Sequence, residues 1–427
     1  MSRIATVSIH SCPLAPLGGQ ETGGMNVYIR EVSKELGRRG VSVDIFTRSK
    51  SPSLPRVVSI RDNVRVIHLP AGKVEPYAKE LVADHIEEFT QGVLKFAEEE
   101  KGGYDLIHSH YWLSGLVANK LKENWGVPFI QMFHTLGKLK NMVSGGRINR
   151  EPQKRVKAEQ KIILLADLVV AASALEKAQM NWFYGASMEK IRVIPCGVDI
   201  NLFRPIPKGK AREHLDLDHE KILLFVGRIE PIKGLDTLIK AFAILKNDKA
   251  HRGRSLKLLL VGGDNKNGGS PTSVEINRLK NMAARMGITE QVKFLGPLHQ
   301  EELPYYYSAA DVCVLPSHYE SFGLVALEAM ACGTPMVASR VGGLPFTISD
   351  GENGYLVTHG EPEELADRVR NVLNDEKTRA RLGKTGMKTA KEYGWETVAT
   401  KLLSVYNELL QANACSREGE DEHELSQ

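Results

Sequence analysis

Two carboxylates stand eight positions apart in the segment Glu320-Ser-Phe-Gly-Leu-Val-Ala-Leu-Glu328. The chain approaches on an apolar run, 312–315, and leaves as a helical pattern, 324–331. Glu320 is therefore expected at the carboxyl end of a strand, with Gly323 and Leu324 opening the next helix. In a parallel α/β sheet that edge is where ligands bind. Unsatisfied backbone N–H groups at a helix start, here those of Leu324 and Val325, favour an anion. Glu328 lies about one and a half turns further on and can accept hydrogen bonds from a ligand's hydroxyls. A phosphate flanked by two sugar rings, the outline of a nucleotide sugar, suits this arrangement.

A second constellation is Gly227-Arg228-Ile229-Glu230-Pro231-Ile232-Lys233-Gly234. Arg228 closes a strand and Lys233 precedes a helix. The two cations are either a solvated surface pair or a clamp on a diphosphate, the guanidinium a planar fork and the ammonium a compact charge. Their place on the carboxyl edge of the sheet, with Glu320 later on the same edge, favours the clamp. Gly23-Gly24-Met25-Asn26-Val27-Tyr28, between the first strand and a helix, reads as a tight turn or as a close approach to a ligand. It does not match GxGxxG, so a nicotinamide dinucleotide lacks its fingerprint.

Two further strand ends carry polar groups. In His108-Ser-His-Tyr-Trp-Leu-Ser114 a metal is one reading of His108 and His110, although no acid lies near them in sequence. A phenol offered by Tyr111 to a polar ligand is the other, and Trp112 reads as core. In Phe133-His134-Thr135-Leu136-Gly137-Lys138, His134 is either a structural residue or part of a ligand loop. Lys79 and Arg155 are cations far apart in the chain, and nothing within the sequence joins them.

The elements that must hold these residues alternate along the chain. Strand-like runs at 4–9, 42–47, 64–69, 106–108, 129–133, 168–171 and 191–195 are separated by helical patterns such as 26–38 and 155–165. A second series has strands at 222–226, 256–261, 292–295, 312–315, 336–339 and 354–357, and helices at 235–245, 274–285, 301–309 and 324–331. Alternation of this kind predicts two doubly wound α/β units. Pro205, Pro207 and nearby charges mark the boundary, giving domains of 1–205 and 206–394. A helix from 395 to 412 is expected to cross back to the first domain. The polar tail, 413–427, is expected to be disordered. Glycine pairs at Gly18-Gly19, Gly23-Gly24, Gly262-Gly263 and Gly342-Gly343 mark tight loops.

A chain of 427 residues, 42% hydrophobic and 25% charged, suits a soluble enzyme of more than one domain. No apolar run approaches the ~18 residues of a membrane span. The amino terminus reads as a strand, not a signal peptide. Five scattered cysteines without a CxxC pair fit a reducing cytoplasm better than a disulfide framework or a zinc site. The net charge is +4; residues 416–427 contribute −4, which leaves +8 for the remainder. No Lys/Arg stripe interleaved with aromatics accompanies that excess, so phosphorylated small molecules explain it better than nucleic acid.

Together, segments 23–28, 108–114, 134–136, 227–234 and 320–328 resemble the retaining GT-B glycosyltransferases of family four, over nearly the whole chain to about residue 412. Met25-Asn26 and His134-Thr-Leu-Gly-Lys-Leu-Lys-Asn141 look most like the inositol-phosphate glycosyltransferases of mycothiol synthesis and next like sucrose-phosphate synthases. The resemblance implies two Rossmann-like domains facing across a cleft. The first would bind a phosphorylated acceptor and the second a UDP-sugar, whose hexosyl group, N-acetylglucosamine for choice, is transferred with retention. Fructose 6-phosphate as acceptor and UDP-glucose as donor are the alternative.

Lys79, Tyr111, Thr135 and Arg155 match the family's acceptor-phosphate residues, and Asn26 joins them. Arg228 and Lys233 would neutralise the departing diphosphate, aided by N–H groups of Gly24, Leu324 and Val325 beside Gly323. Glu320 would hold the transferred sugar, Glu328 the ribose, and His134 would approach the donor sugar. No cofactor or metal is implied, and a homodimer is common among relatives.

Overall fold

Runs such as Lys221-Ile-Leu-Leu-Phe-Val226 and Leu256-Lys-Leu-Leu-Leu-Val261 are apolar at nearly every position, so a strand built from them must be covered on both faces. They become the centre of a parallel sheet with helices on its two sides. The structure, a computed structural model, describes residues 2–16, 23–76, 78–143, 150–248, 255–263 and 270–424, with side chains to 415. The Gly18-Gly19 pair lies outside the described residues.

The chain divides into two compact units. The first contains strands β1 (Arg3–Val7), β2 (Ser42–Arg48), β3 (Val57–Arg61), β4 (Val64–Leu69), β5 (Leu106–His110), β6 (Phe129–Met132), β7 (Leu168–Ala171) and β8 (Ile191–Val193). Its helices are α1 (Gly24–Arg38), α2 (Lys79–Val82), α3 (Ile86–Glu99), α4 (Tyr111–Trp125), α5 (Gly137–Val143), α6 (Gln153–Leu165) and α7 (Ala174–Tyr184). Among the described residues the strand order is β3-β4-β2-β1-β5-β6-β7-β8. All neighbours are parallel except β3 and β4. The antiparallel β3 adds to the expected strands. It is short and half exposed and closes the edge of the sheet, a place where a long flat strand would invite pairing with another chain.

The second unit comprises Cys196–Gly394 together with Pro16–Gly23. It holds helix α8 (Lys208–His214), then β9 (Lys221–Val226), α9 (Leu235–Asn247), β10 (Leu256–Val261), α10 (Pro271–Arg285), β11 (Val292–Gly296), α11 (Leu303–Ala309) and β12 (Val312–Leu315). There follow α12 (Leu324–Ala331), β13 (Met336–Ser339), β14 (Tyr355–Val357), α13 (Pro362–Asn374) and α14 (Glu376–Glu392). The sheet order is β11-β10-β9-β12-β13-β14, parallel throughout. Asp375 separates α13 from α14 by capping the latter, its carboxylate accepting from the N–H groups of Lys377 and Thr378 at 2.9 and 3.1 Å.

After Gly394 the chain rejoins the first unit as helix α15 (Trp395–Glu424). It packs along α1, sets the Trp395 ring edge-on to Tyr28 at 5.7 Å, and places the Tyr406 hydroxyl 2.7 Å from His108 Nδ1. A disordered segment is expected from 413; the helix that begins at Trp395 is assigned to Glu424. Ala412, Ala414, Arg417, Glu418 and Glu420 are strong helix formers, and a helix already nucleated extends through them at little entropic cost.

Trp395 is only 5% exposed. Trp395→Ala is expected to destabilise the first unit by about 3–5 kcal/mol, measured by chemical denaturation with far-UV circular dichroism; a change below 1 kcal/mol would show that α15 is not an integral part of that unit.

Candidate functional site

In a doubly wound sheet the loops part where the strand order reverses, and ligands bind at the carboxyl side of that point. The first unit reverses at β1, between β2 and β5; the second reverses at β9, between β10 and β12. His10 follows β1, Tyr111 follows β5, and His134 and Thr135 lie just beyond β6. Arg228 follows β9 and Glu320 follows β12. Both sets of candidate residues thus stand on the carboxyl edge of their own sheet, at the switch point or, for His134 and Thr135, one strand beyond it.

In the second unit the structure joins Lys233 to Glu320, Nζ to Oε2 at 2.6 Å, both largely buried. Arg228 binds a nearer partner: its Nη1 donates to Glu230 at 2.7 Å, and the pair is more exposed. Gly342-Gly343 shapes the Glu320 loop. Gly342 has φ +52°, and a Cβ there would fall 1.6 Å from the Glu320 carbonyl oxygen, which accepts from the Gly343 N–H at 3.1 Å. Gly323, at φ +90°, turns the chain into α12, where Leu324 and Val325 have no intrahelical acceptor for their N–H groups. Glu328 lies apart from the Lys233–Glu320 pair in the hydrogen-bond pattern. It accepts from the Tyr307 hydroxyl at 2.7 Å, and burial pushes its carboxyl up to about 7.

In the first unit the scattered acceptor candidates come together. Arg155 on α6 is 1% exposed and lies over the Tyr111 ring, 4.7 Å from its centroid. Its Nη2 donates to the Thr135 carbonyl and hydroxyl oxygens at 2.6 and 3.0 Å. Glu151 and Glu159 neutralise it at 2.9 and 2.7 Å. Glu159 also accepts from the Gly137 N–H and from Tyr184. Burial alone would raise the Glu151 carboxyl; Arg155, then Lys140 and Lys79, hold it down at about 2. Lys140 is lowered by its own burial and by Lys79 and Arg155, although Glu151 opposes the shift. Lys50, Lys79, Lys140 and Arg155 thus outnumber the two buried carboxylates, with Glu80 at the exposed edge beside Lys79. Asn26 is placed differently. It is buried, and its amide donates to Ser11 Oγ at 2.8 Å and the Cys12 carbonyl at 2.7 Å, bracing the loop after β1. Gly24 is the first residue of α1.

Tyr111 and His134 both have left-handed backbones, φ +73° and +60°. Such conformations cost about 1–3 kcal/mol each and concentrate at functional sites. His134 Nε2 is 2.9 Å from His110 Nδ1, and the ring lies edge-on to Tyr28 at 5.4 Å. Burial holds His108 and His134 neutral, each down to about 3, and drives His110 and His10 the same way; Lys50, Lys79 and Arg155 reinforce the shift at His10. No group of three or more His, Cys, Asp or Glu among the described residues is placed to hold a metal ion. His108 instead pairs with Tyr406, and His110 with His134.

Several members of these clusters escaped the sequence reading. His10, whose ring lies 4.4 Å from that of Tyr111, is the residue directly after the first apolar run, the same carboxyl-edge position that drew attention to His134. Glu159 follows Arg155 at i+4 on the same face of α6, a readable spacing, whereas Glu151 lies in the loop that precedes the helix. Nothing local pointed to Tyr307 or Tyr406.

Residues 22–202 match the family described as Glycosyltransferase Family 4, and residues 208–389 match Glycosyl transferases group 1. The D-inositol 3-phosphate glycosyltransferase 2 of Catenulispora acidiphila is 41% identical over 407 residues, 95% of this chain and 94% of that protein. The D-inositol 3-phosphate glycosyltransferase of Streptosporangium roseum is 42% identical over 409 residues, 95% of this chain and 93% of that protein. The chain belongs to the GT-B glycosyltransferases of family four. Among solved structures, sucrose-phosphate synthase from Thermosynechococcus elongatus superposes with a TM-score of 0.88 at 35% identity, covering 96% of this glycosyltransferase and all of that chain. Anabaena HepE in complex with UDP-glucose, 21% identical with a TM-score of 0.72, shares the fold. No helix among the described residues of the glycosyltransferase is long and apolar enough to cross a membrane.

Two expectations follow for the glycosyltransferase. Gly342→Ala must displace the Glu320 backbone, and a shift of that kind lowers kcat/KM by about 10²-fold; steady-state kinetics within threefold of the parent would contradict the packing described. The second concerns pH. The four buried histidines refuse protons that the unfolded chain accepts below about pH 6.5. Their stabilisation is therefore complete above that pH and is lost as pH falls toward their folded values. Glu176 and Glu328, raised by burial to about 7, have the opposite sign, since falling pH relieves their buried charge. The histidines are more numerous, so the melting temperature should drop between about pH 7.5 and 5. His108→Phe should make that drop shallower; an unchanged slope would remove the histidines as its cause.

Proposed function

We propose that this glycosyltransferase moves a hexosyl group, with N-acetylglucosamine the first candidate, from a UDP-sugar to a hydroxyl of a phosphorylated polyol such as inositol phosphate, with retention at the anomeric carbon. The observation that carries the reading is the surplus of positive charge around Tyr111 and Thr135, which matches a phosphate dianion. The roughly 40% identity to D-inositol 3-phosphate glycosyltransferases supports it.

In this reading the first domain, 1–205, binds the acceptor. Lys79, Tyr111 and Thr135 receive its phosphate, while Arg155 aligns Thr135 and Tyr111 and adds charge. Asn26 shapes the adjoining loop. Holding the phosphate fixes which hydroxyl faces the donor, and that orientation accounts for much of the rate.

The second domain, 206–394, binds the donor. Departure of UDP builds negative charge on the leaving oxygen, and fixed positive groups aimed there stabilise the transition state most. Arg228 and Lys233 fill this role where a divalent ion would otherwise serve, with the N–H groups of Gly24, Leu324 and Val325. Glu320, already paired to Lys233, accepts the sugar's hydroxyls once the lysine engages the diphosphate, with Gly323 giving the turn its room. Glu328 binds the ribose. His134, neutral at working pH, approaches the transferred sugar as a hydrogen-bonding group. No carboxylate is identifiable as a nucleophile, so attack from the face that the diphosphate leaves accounts for retention.

Sucrose-phosphate synthase is a second reading, favoured by the 0.88 TM-score and 35% identity to the Thermosynechococcus enzyme. Its acceptor, fructose 6-phosphate, also bears a phosphate. A screen of UDP-N-acetylglucosamine and UDP-glucose against inositol 3-phosphate and fructose 6-phosphate, following UDP release and product mass, separates the two. Turnover with inositol phosphate supports the first, turnover with fructose 6-phosphate alone the second, and UDP release independent of any acceptor phosphate neither. In the active pairing, Lys79→Ala should raise the acceptor KM about 10–10²-fold with donor KM and melting temperature little changed. Arg155→Ala should in addition destabilise the fold by about 3–5 kcal/mol, because Glu159 is left buried and unpaired. Equal rises in donor and acceptor KM for Lys79→Ala would sink the phosphate assignment.

A further inference from the structure

Glu328 is 8% exposed, and α12 and its neighbours enclose it. A carboxylate in such surroundings turns about its Cγ–Cδ bond unless something holds it, and it takes up a proton unless a donor favours the charge. Tyr307 on α11 meets both needs. Its O–H donates to Glu328 Oε2 at 2.7 Å, and the ring is fully buried. The Tyr307 carbonyl accepts from Thr334 Oγ1 at 2.7 Å, which anchors the end of α11. Phe203 lies edge-on to the same ring at 6.0 Å. Burial, and then Glu328 itself, oppose loss of the phenolic proton, so Tyr307 remains a donor throughout the working range.

We propose that Tyr307 is a positioning residue for donor binding: its phenol ties down one oxygen of Glu328 and leaves Oε1 to accept from the ribose hydroxyls of the UDP moiety. The inference rests on the assignment of Glu328 to the ribose in the proposed function.

The other groups facing Glu328 cannot substitute for the phenol. Cys313 comes from β12 and Cys332 from the end of α12, and burial keeps both thiols protonated. Helix α14 turns Gly383, Gly386 and Met387 toward α12, and β13 offers no ionisable side chain. Tyr307 is thus the group that favours the ionised carboxyl against the burial that raises it. Without the phenol, Glu328 is protonated at neutral pH and free to turn. As pH rises it ionises and recovers part of its affinity for a diol.

The test is binding of UDP alone to the full chain by calorimetry between about pH 6.5 and 9.5, for the parent, Tyr307→Phe, Glu328→Gln and the double variant. Tyr307→Phe is expected to weaken UDP about tenfold at pH 7, to regain affinity by pH 9.5, and to add nothing in the Glu328→Gln background. Parental affinity in Tyr307→Phe alongside weakened binding in Glu328→Gln overturns the positioning role. So does a loss in Tyr307→Phe that is the same at every pH and adds to that of Glu328→Gln, since damaged packing would act that way. Parental UDP affinity in Glu328→Gln shows instead that the ribose assignment is wrong, and the inference falls with it. Should Tyr307→Phe not fold, Tyr307→Met provides a flexible apolar filling for the same comparison.

Discussion

A guanidinium taken out of water must bring its counter-charges with it, and the carboxyl edge of the first unit is organised around that requirement at Arg155. Glu159, one turn further along α6, and Glu151, in the loop before the helix, neutralise it. Thr135 and Tyr111 are drawn to its edge and face. The network reaches the backbone of the loop after β6 through Gly137 and reaches α7 through Tyr184. Three separate strand connections are fixed relative to one another by one desolvated charge. Removing a partner from such a network costs far more than any surface ion pair contributes. Lys140 shares Glu151 with Arg155, so the lysine side of the cluster is tied into the same network.

The donor side solves a different problem. Lys233 and Glu320 come from loops after different strands of the second unit, and their ion pair ties the two loops together. The backbone under Glu320 is set by close contact with Gly342, where no side chain fits. Arg228, tethered to Glu230, is the more exposed of the two cations and the freer to move.

Much of this was legible in the sequence, for reasons that can be stated residue by residue. Apolar runs such as 221–226 and 256–261 announce strands buried on both faces, and the polar residues directly after such runs fall on the ligand-binding edge. Arg228, His134 and Glu320 were found that way, and His10 obeys the same rule. What stayed hidden depends on contacts between distant segments. The hold of Tyr307 on Glu328 and the seat of Tyr406 on His108 join residues 21 and 298 positions apart, and no local pattern encodes them; Lys79 and Arg155, 76 positions apart, were grouped only through the resemblance.

The return of α15 to the first unit has a consequence for biogenesis. Trp395 and Tyr406 complete the packing around Tyr28 and His108, yet they are encoded after the entire second unit. Domains generally fold as the ribosome delivers them. Here the amino-terminal half emerges early and waits, its histidine cluster uncovered, for a segment made last. A nascent chain interrupted anywhere before that helix lacks the ring contacts and hydrogen bond that Trp395 and Tyr406 supply, and the face of α1 that α15 covers stays bare.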